Sequence, residues 1–112
     1  MKSKSEYAEE AARIVLERGV THGGYMDETG KVCALGALSC AVFTIKDTRG
    51  RLGLPYDSVE YDAYTDLSMA ANAKVGNVAA WNDGNFDHEP KTKEQVHDLW
   101  MGVAKDLRER GE

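Results

Sequence analysis

Apolar residues recur at helical spacing in several stretches of this chain, and turn-forming residues separate them. Tyr7, Ala8, Ala11, Ile14 and Val15 follow this spacing, with Glu9, Glu10, Arg13 and Glu17 on the other side, which predicts an amphipathic helix. Ser3 with Glu6 three residues later fits a capping box that starts it at about Lys4, and Gly19 follows as its stop. Thr92 with Gln95 repeats the capping signal, and Val96, Leu99, Trp100, Val103, Ala104 and Leu107 then form the stripe of a last helix. Glu94 suits the positive end of its dipole, Arg108 and Arg110 suit the negative end, and Gly111 closes it. A third helix is predicted after a cap at Asp57 or Ser58, with Tyr61, Tyr64, Leu67, Ala71 and Val75 as its apolar stripe. Gly76 interrupts, Asn77 can cap a short helical turn over Val78-Ala79-Ala80-Trp81, and Asn82-Asp83-Gly84-Asn85 reads as its end.

The run from Lys31 to Phe43 has a different pattern. It is nearly uncharged, and Leu35, Leu38 and Val42 are interleaved with Cys33, Ala34, Gly36, Ala37 and Ala41, so every side of a helical period is apolar or small. That describes a central helix, sheathed here by the first, third and last helices. Gly36 leaves room for a ring or a crossing helix, and Trp81 is the expected neighbour. Gly36→Leu should therefore cost about 1–3 kcal/mol by overpacking, read from a denaturation curve; a wild-type curve would mean that the close approach is absent. Between the first two helices, Gly23-Gly24 and the Asp27-Glu28-Thr29-Gly30 turn break the pattern. Tyr25-Met26 and Lys31-Val32 flank that turn and can pair as a short β-ribbon. Asp47 to Ser58 is a second loop, punctuated by Gly50, Gly53 and Pro55, with Leu52, Leu54 and Tyr56 to pack it down. The expected architecture is a single all-α domain over residues 1–112, with four main helices, a short helical turn and a minor β-ribbon.

Composition narrows the function classes. A chain of 112 residues can bury about two thirds of its unfolded surface and needs no metal or disulfide to fold. Lys46 and Asp47 end the longest apolar stretch well short of a membrane span, and the first ten residues lack the apolar core of a signal peptide, so a cytoplasmic location is expected. The net charge is −5, and residues 61–90 hold Asp62, Asp66, Asp83, Asp87 and Glu89 against Lys74 alone. An acidic chain without a basic stripe is a poor direct binder of nucleic acid. It could meet a basic partner, or mimic a nucleic acid, through that acidic segment. Cys33 and Cys40 are two helical turns apart, about 10 Å, too far for a disulfide, so both are expected to be free thiols.

Three constellations carry candidate chemistry. Cys33 lies near the start of the central helix, where the dipole lowers a thiol pKa; with His22 as base and Asn82 or Asp83 to orient the imidazole, it has the parts of a thiol nucleophile. A buried cysteine acting as a small hydrophobe accounts for the same residue. Asp83, Asn85, Asp87 and Glu94 fall at positions one, three, five and twelve of a calcium-loop template, but His88 stands where the template needs glycine, and Pro90 follows two residues later. His88 with Asp87 or Glu89 is too small a set for a dedicated transition-metal site. Arg49-Gly50-Arg51 near Lys46 could meet a phosphate, though no glycine-rich signature surrounds it. His97, beside Val96, is expected to face solvent or the edge of the last helix's stripe. None of these patterns calls for a cofactor. Trp81-Asn82-Asp83 reads first as a structural device, with Trp81 buried against the central helix and Asn82 and Asp83 bonding local backbone groups.

Cys33-Ala34-Leu35-Gly36-Ala37-Leu38, then Trp81-Asn82-Asp83, then a threonine-capped helix with Glu94, Gln95 and Val96, together resemble a family of small uncharacterised domains associated with actinobacteria and their phages. The Gly84–Lys91 connection is longer than that pattern leads one to expect. The resemblance implies a source and an architecture and supplies no mechanism. The expected function is that of a non-enzymatic accessory or protein-interaction domain, phage-encoded and acting on a host or phage protein of unknown identity, with a homodimer among the assemblies open to it. The alternative is a small thiol-dependent enzyme using Cys33 with His22.

Overall fold

The computed structural model describes residues 2–24, 26–43, 59–84 and 89–111. They form five helices: α1 (Lys4–Arg18), α2 (Ala34–Phe43), α3 (Val59–Val75), α4 (Val78–Asp83) and α5 (Lys93–Glu109). The domain is all-α, as the periodicity predicts.

Both capping boxes form. Ser3 Oγ accepts from Glu6 N while Glu6 Oε1 accepts from Ser3 N, and Thr92 with Gln95 does the same for α5. Gly19 ends α1 with φ +86°, a conformation that L side chains rarely adopt. The buried stripe of α5 is Val96, Leu99, Trp100, Val103, Ala104 and Leu107, as expected. The buried face of α3 comprises Ala63, Leu67 and Ala71, while Tyr61, Tyr64 and Val75 of the expected stripe pack at its edges, partly buried. Asp57 and Ser58, the expected caps of α3, lie outside the described residues, as do Lys46 and Arg49-Gly50-Arg51.

Helix α2 is buried at nine of its ten positions, which fits its all-round apolar sequence. Its setting differs from the expected one. It packs mainly on α1, with α3 and α4 beside it, whereas the most extensive helix pair in the fold is α1 with α5. The long amphipathic stripes of α1 and α5 face each other. Helix α5 meets α2 through Trp100, whose indole Nε1 donates to Ala34 O at 3.1 Å.

The turn before α2 forms around Asp27, whose Oδ1 accepts from Thr29 N, Thr29 Oγ1 and Lys31 N. Tyr25 of the expected ribbon lies outside the described residues; among those described, Val32 pairs with Met26 in an isolated antiparallel bridge and also with Val20 in parallel, a partner the sequence pattern did not suggest. Val32 is fully buried, so the post–α1 segment and the turn close over one side chain.

Helix α3 is held more loosely than α1 or α5, making few contacts with either. Ion pairs join the three long helices: Lys4 with Asp66 at 2.9 Å, Lys74 with Asp106 at 2.7 Å, and Arg108 with Glu9. Exposed pairs of this kind contribute about 0–1 kcal/mol each, so they align α3 more than they stabilise it.

Candidate functional site

The first two pieces of the sequence motif, 48 residues apart, meet at Asn82. Helix α4 starts at Asn77, whose Oδ1 accepts from Ala80 N, and its buried residues are Val78 and, one turn on, Asn82. The helix runs through Asp83 and ends at Gly84 in the left-handed region, so Asn82 and Asp83 are helical residues rather than the turn expected from sequence. Asn82 is fully buried. Its bonds are remote where local ones were expected: Oδ1 accepts from Ala34 N at 3.0 Å and Nδ2 donates to Thr21 O at 3.0 Å. Nδ2 also donates to Asp83 Oδ1 at 3.0 Å, and the Asn82 carbonyl accepts from Lys91 N at 3.0 Å. One side chain thus ties the post–α1 segment, the head of α2 and α4 together, while its own backbone anchors the approach to α5.

Cys33 precedes α2 and occupies the capping position. Its Sγ accepts from Gly36 N at 3.3 Å, the bond that a serine or aspartate oxygen makes in a conventional cap. Gly36 is buried within α2. The expected depression of the Cys33 thiol pKa does not result. Burial pushes the thiol up, outweighing the N–H groups of Gly36 and Leu35 that favour the thiolate, and the Asp83 carboxylate adds to the rise. A thiol whose folded pKa is raised contributes stability below its ordinary value of 9.0 that is lost as pH climbs through the folded value. Urea midpoints measured from about pH 8 to about pH 11 should therefore fall more steeply for the wild type than for Cys33→Ala. Tyr7, whose pKa burial also raises, sets the loss that both proteins share.

The expected partners of a Cys33 nucleophile are engaged elsewhere. His22 is exposed and its Nε2 lies 2.9 Å from the Lys91 carbonyl, so it links the post–α1 segment to the residues leading into α5. Asn82 spends its amide on Ala34, Thr21 and Asp83 rather than on the imidazole. Cys33 and Cys40 are both buried thiols, and Cys40 accepts from Arg18 Nη1 at 3.7 Å. Trp81 is partly buried against the core, with Lys91 Nζ 5.5 Å above its ring centroid. His97 sits partly buried beside Asp98, its Nδ1 3.1 Å from Asp98 Oδ1.

Of the calcium-loop set, Asp83 accepts from Asn82 and Glu94 is exposed in the first turn of α5, while Asn85, Asp87 and the adjoining His88 lie outside the described residues. Among the described residues, no group of three or more His, Cys, Asp and Glu side chains is arranged to hold a metal ion.

A cleft of about 200 Å³ opens beside this junction, lined by Gly23, Gly24, Cys33, Leu35, Ala79 and Asp83. Two larger grooves flank α3. One, of about 460 Å³, is bounded by Ala70, Ala73, Lys74, Val103, Asp106 and Glu109. The other, of about 330 Å³, runs between Lys4, Asp66, Leu67, Met69, Ala70 and Leu107. Sequence reasoning found Cys33, Asn82 and Asp83 but missed the cleft and the grooves, which arise from packing between distant segments. One signal for Asn82 was present: it lies four residues after Val78, on the same face of a short helix, which marks a polar side chain turned inward.

No curated protein and no solved structure matches this chain. A family model does, over residues 1–106, and the chain accordingly belongs to DUF6197, a family of unknown function.

Proposed function

We propose that this protein is a non-enzymatic accessory domain that works by binding another protein through the outer face of α3. The observation that carries this reading is the exposure of Met69 and Val59, at 63% and 55% the most exposed large apolar side chains among the described residues. Asp62 and Met69 stand seven residues apart along α3, flanked by Thr65, Asp66, Asn72 and Ala73, and all of these positions are exposed. Two grooves open beside this ridge, both lined by Ala70. An apolar anchor set among polar residues is the usual make-up of a binding face. The sequence resemblance to domains of actinobacteria and their phages supports a phage-encoded protein acting on a host or phage target.

Immobilised protein should capture at least one partner from an actinobacterial lysate in near-stoichiometric amount, and Met69→Asp should abolish that capture without changing the circular dichroism melt. Equal capture by the variant, or none by the wild type, would sink the reading.

The thiol-dependent reading has one observation in its favour, the place of Cys33 on a cleft wall. Alkylation mapped by mass spectrometry at neutral pH separates the two. Slow modification of both cysteines in the folded protein is expected, and fast, selective modification of Cys33 would favour the enzyme.

A further inference from the structure

We infer that the cleft between the Gly23-Gly24 bend, the head of α2 and α4 binds a small primary ammonium compound bearing a short aliphatic group. This site shares no residue with the outer face of α3 and stands independently of the protein-binding reading.

The cleft offers little to hold an anion. A helix head commonly attracts anions because its first N–H groups lack partners. Here those donors are largely spent: Ala34 N–H on Asn82 Oδ1, Gly36 N–H on Cys33 Sγ and Ala37 N–H on the Cys33 carbonyl. An anion would find few free donors and would face the Asp83 carboxylate.

A cation meets the opposite situation. Among the described residues that line the cleft, Asp83 is the one that carries charge. A carboxylate offers about four acceptor positions, and the contact from Asn82 uses one of them. Because Asn82 is itself pinned by Ala34 and Thr21, its amide holds Asp83 in place without neutralising it. An ammonium group carries three donors and no acceptor, which matches a carboxylate with open lone pairs.

The remaining walls select what is attached to that cation. Leu35, Ala79, the neutral thiol of Cys33 and the bare Cα atoms of Gly23 and Gly24 form a mainly apolar lining. A Cβ added at Gly23 or Gly24 would meet nothing within 4 Å, so the backbone on this edge of the cleft is uncrowded. A volume of about 200 Å³ has room for a chain of a few carbons.

The test is a nuclear magnetic resonance titration of the ¹⁵N-labelled protein with n-butylammonium, and with butyrate as the shape-matched anion. Saturable shifts should gather at the amides of Gly23, Gly24, Ala79 and Asp83 with the amine and be absent with butyrate. Asp83→Asn keeps an oxygen for the Asn82 contact and should weaken amine binding by up to about fivefold, the upper end for one partly exposed ion pair. Ala79→Met alters an exposed wall position, keeps the carboxylate and should weaken binding by filling the cleft, so it decides the matter if Asp83→Asn does not fold. Equal shifts with butyrate, shifts scattered over the acidic surface, or unchanged binding in a folded variant would overturn the inference. Because Met69→Asp leaves every lining residue intact, it should bind the amine like the wild type whatever becomes of the protein-binding reading.

Discussion

Asn82→Ala should destabilise the protein by about 2–4 kcal/mol, read as a lower urea midpoint with an unchanged slope. The change deletes the acceptor of the Ala34 N–H, which lies at a fully buried residue, and leaves that donor without a partner. An unsatisfied buried donor alone costs about 1–3 kcal/mol, and the lost bond to Thr21 O adds to it. Asn82→Asp makes the sharper comparison. It preserves the oxygen facing Ala34 but presents an acceptor to the Thr21 carbonyl and sets a second carboxylate beside Asp83. Burial and that neighbour would raise the new carboxyl's pKa, so the variant should come closest to wild-type stability in acid and lose ground as pH rises through the raised value. A variant as stable as the wild type at neutral pH would show that Asn82 does not bridge these segments.

Trp100→Ala should cost about 3–5 kcal/mol and leave a partly unfolded population at physiological temperature. Trp100 heads the fully buried side chains by volume, so truncation removes a large apolar surface and opens a cavity. It also removes the indole donor to Ala34 O. Trp100→Phe separates the two contributions, because it keeps most of the ring packing and gives up the hydrogen bond. A loss of about 1–2 kcal/mol in that variant would assign most of the effect to packing. Two melts of equal depth would assign it to the bond.

These two residues also mark where the sequence was legible and where it was not. Trp100 could be placed in the core because its neighbours Val96, Val103, Ala104 and Leu107 repeat at helical spacing, and spacing is a local property. The caps at Ser3 and Thr92 were readable for the same reason: donor and acceptor lie three residues apart in the chain. The bonds of Asn82 reach 48 and 61 residues away, and no local rule joins those positions. Cys33 misled in a related way. Its place at a helix head suggested a lowered pKa, but the outcome was decided by burial under segments whose approach is a tertiary matter. The grooves beside α3 were likewise invisible, since they depend on how loosely α3 settles against α1 and α5.

The position of Ala34 has a consequence for biosynthesis. Its N–H waits for an oxygen on residue 82, and its carbonyl waits for the ring nitrogen of residue 100. A ten-residue helix is too short to persist alone in water. The early part of the chain therefore leaves the ribosome before either partner exists, and its middle helix can lock only once residues 82 and 100 have been made. Docking of the last helix completes the anchorage of α2.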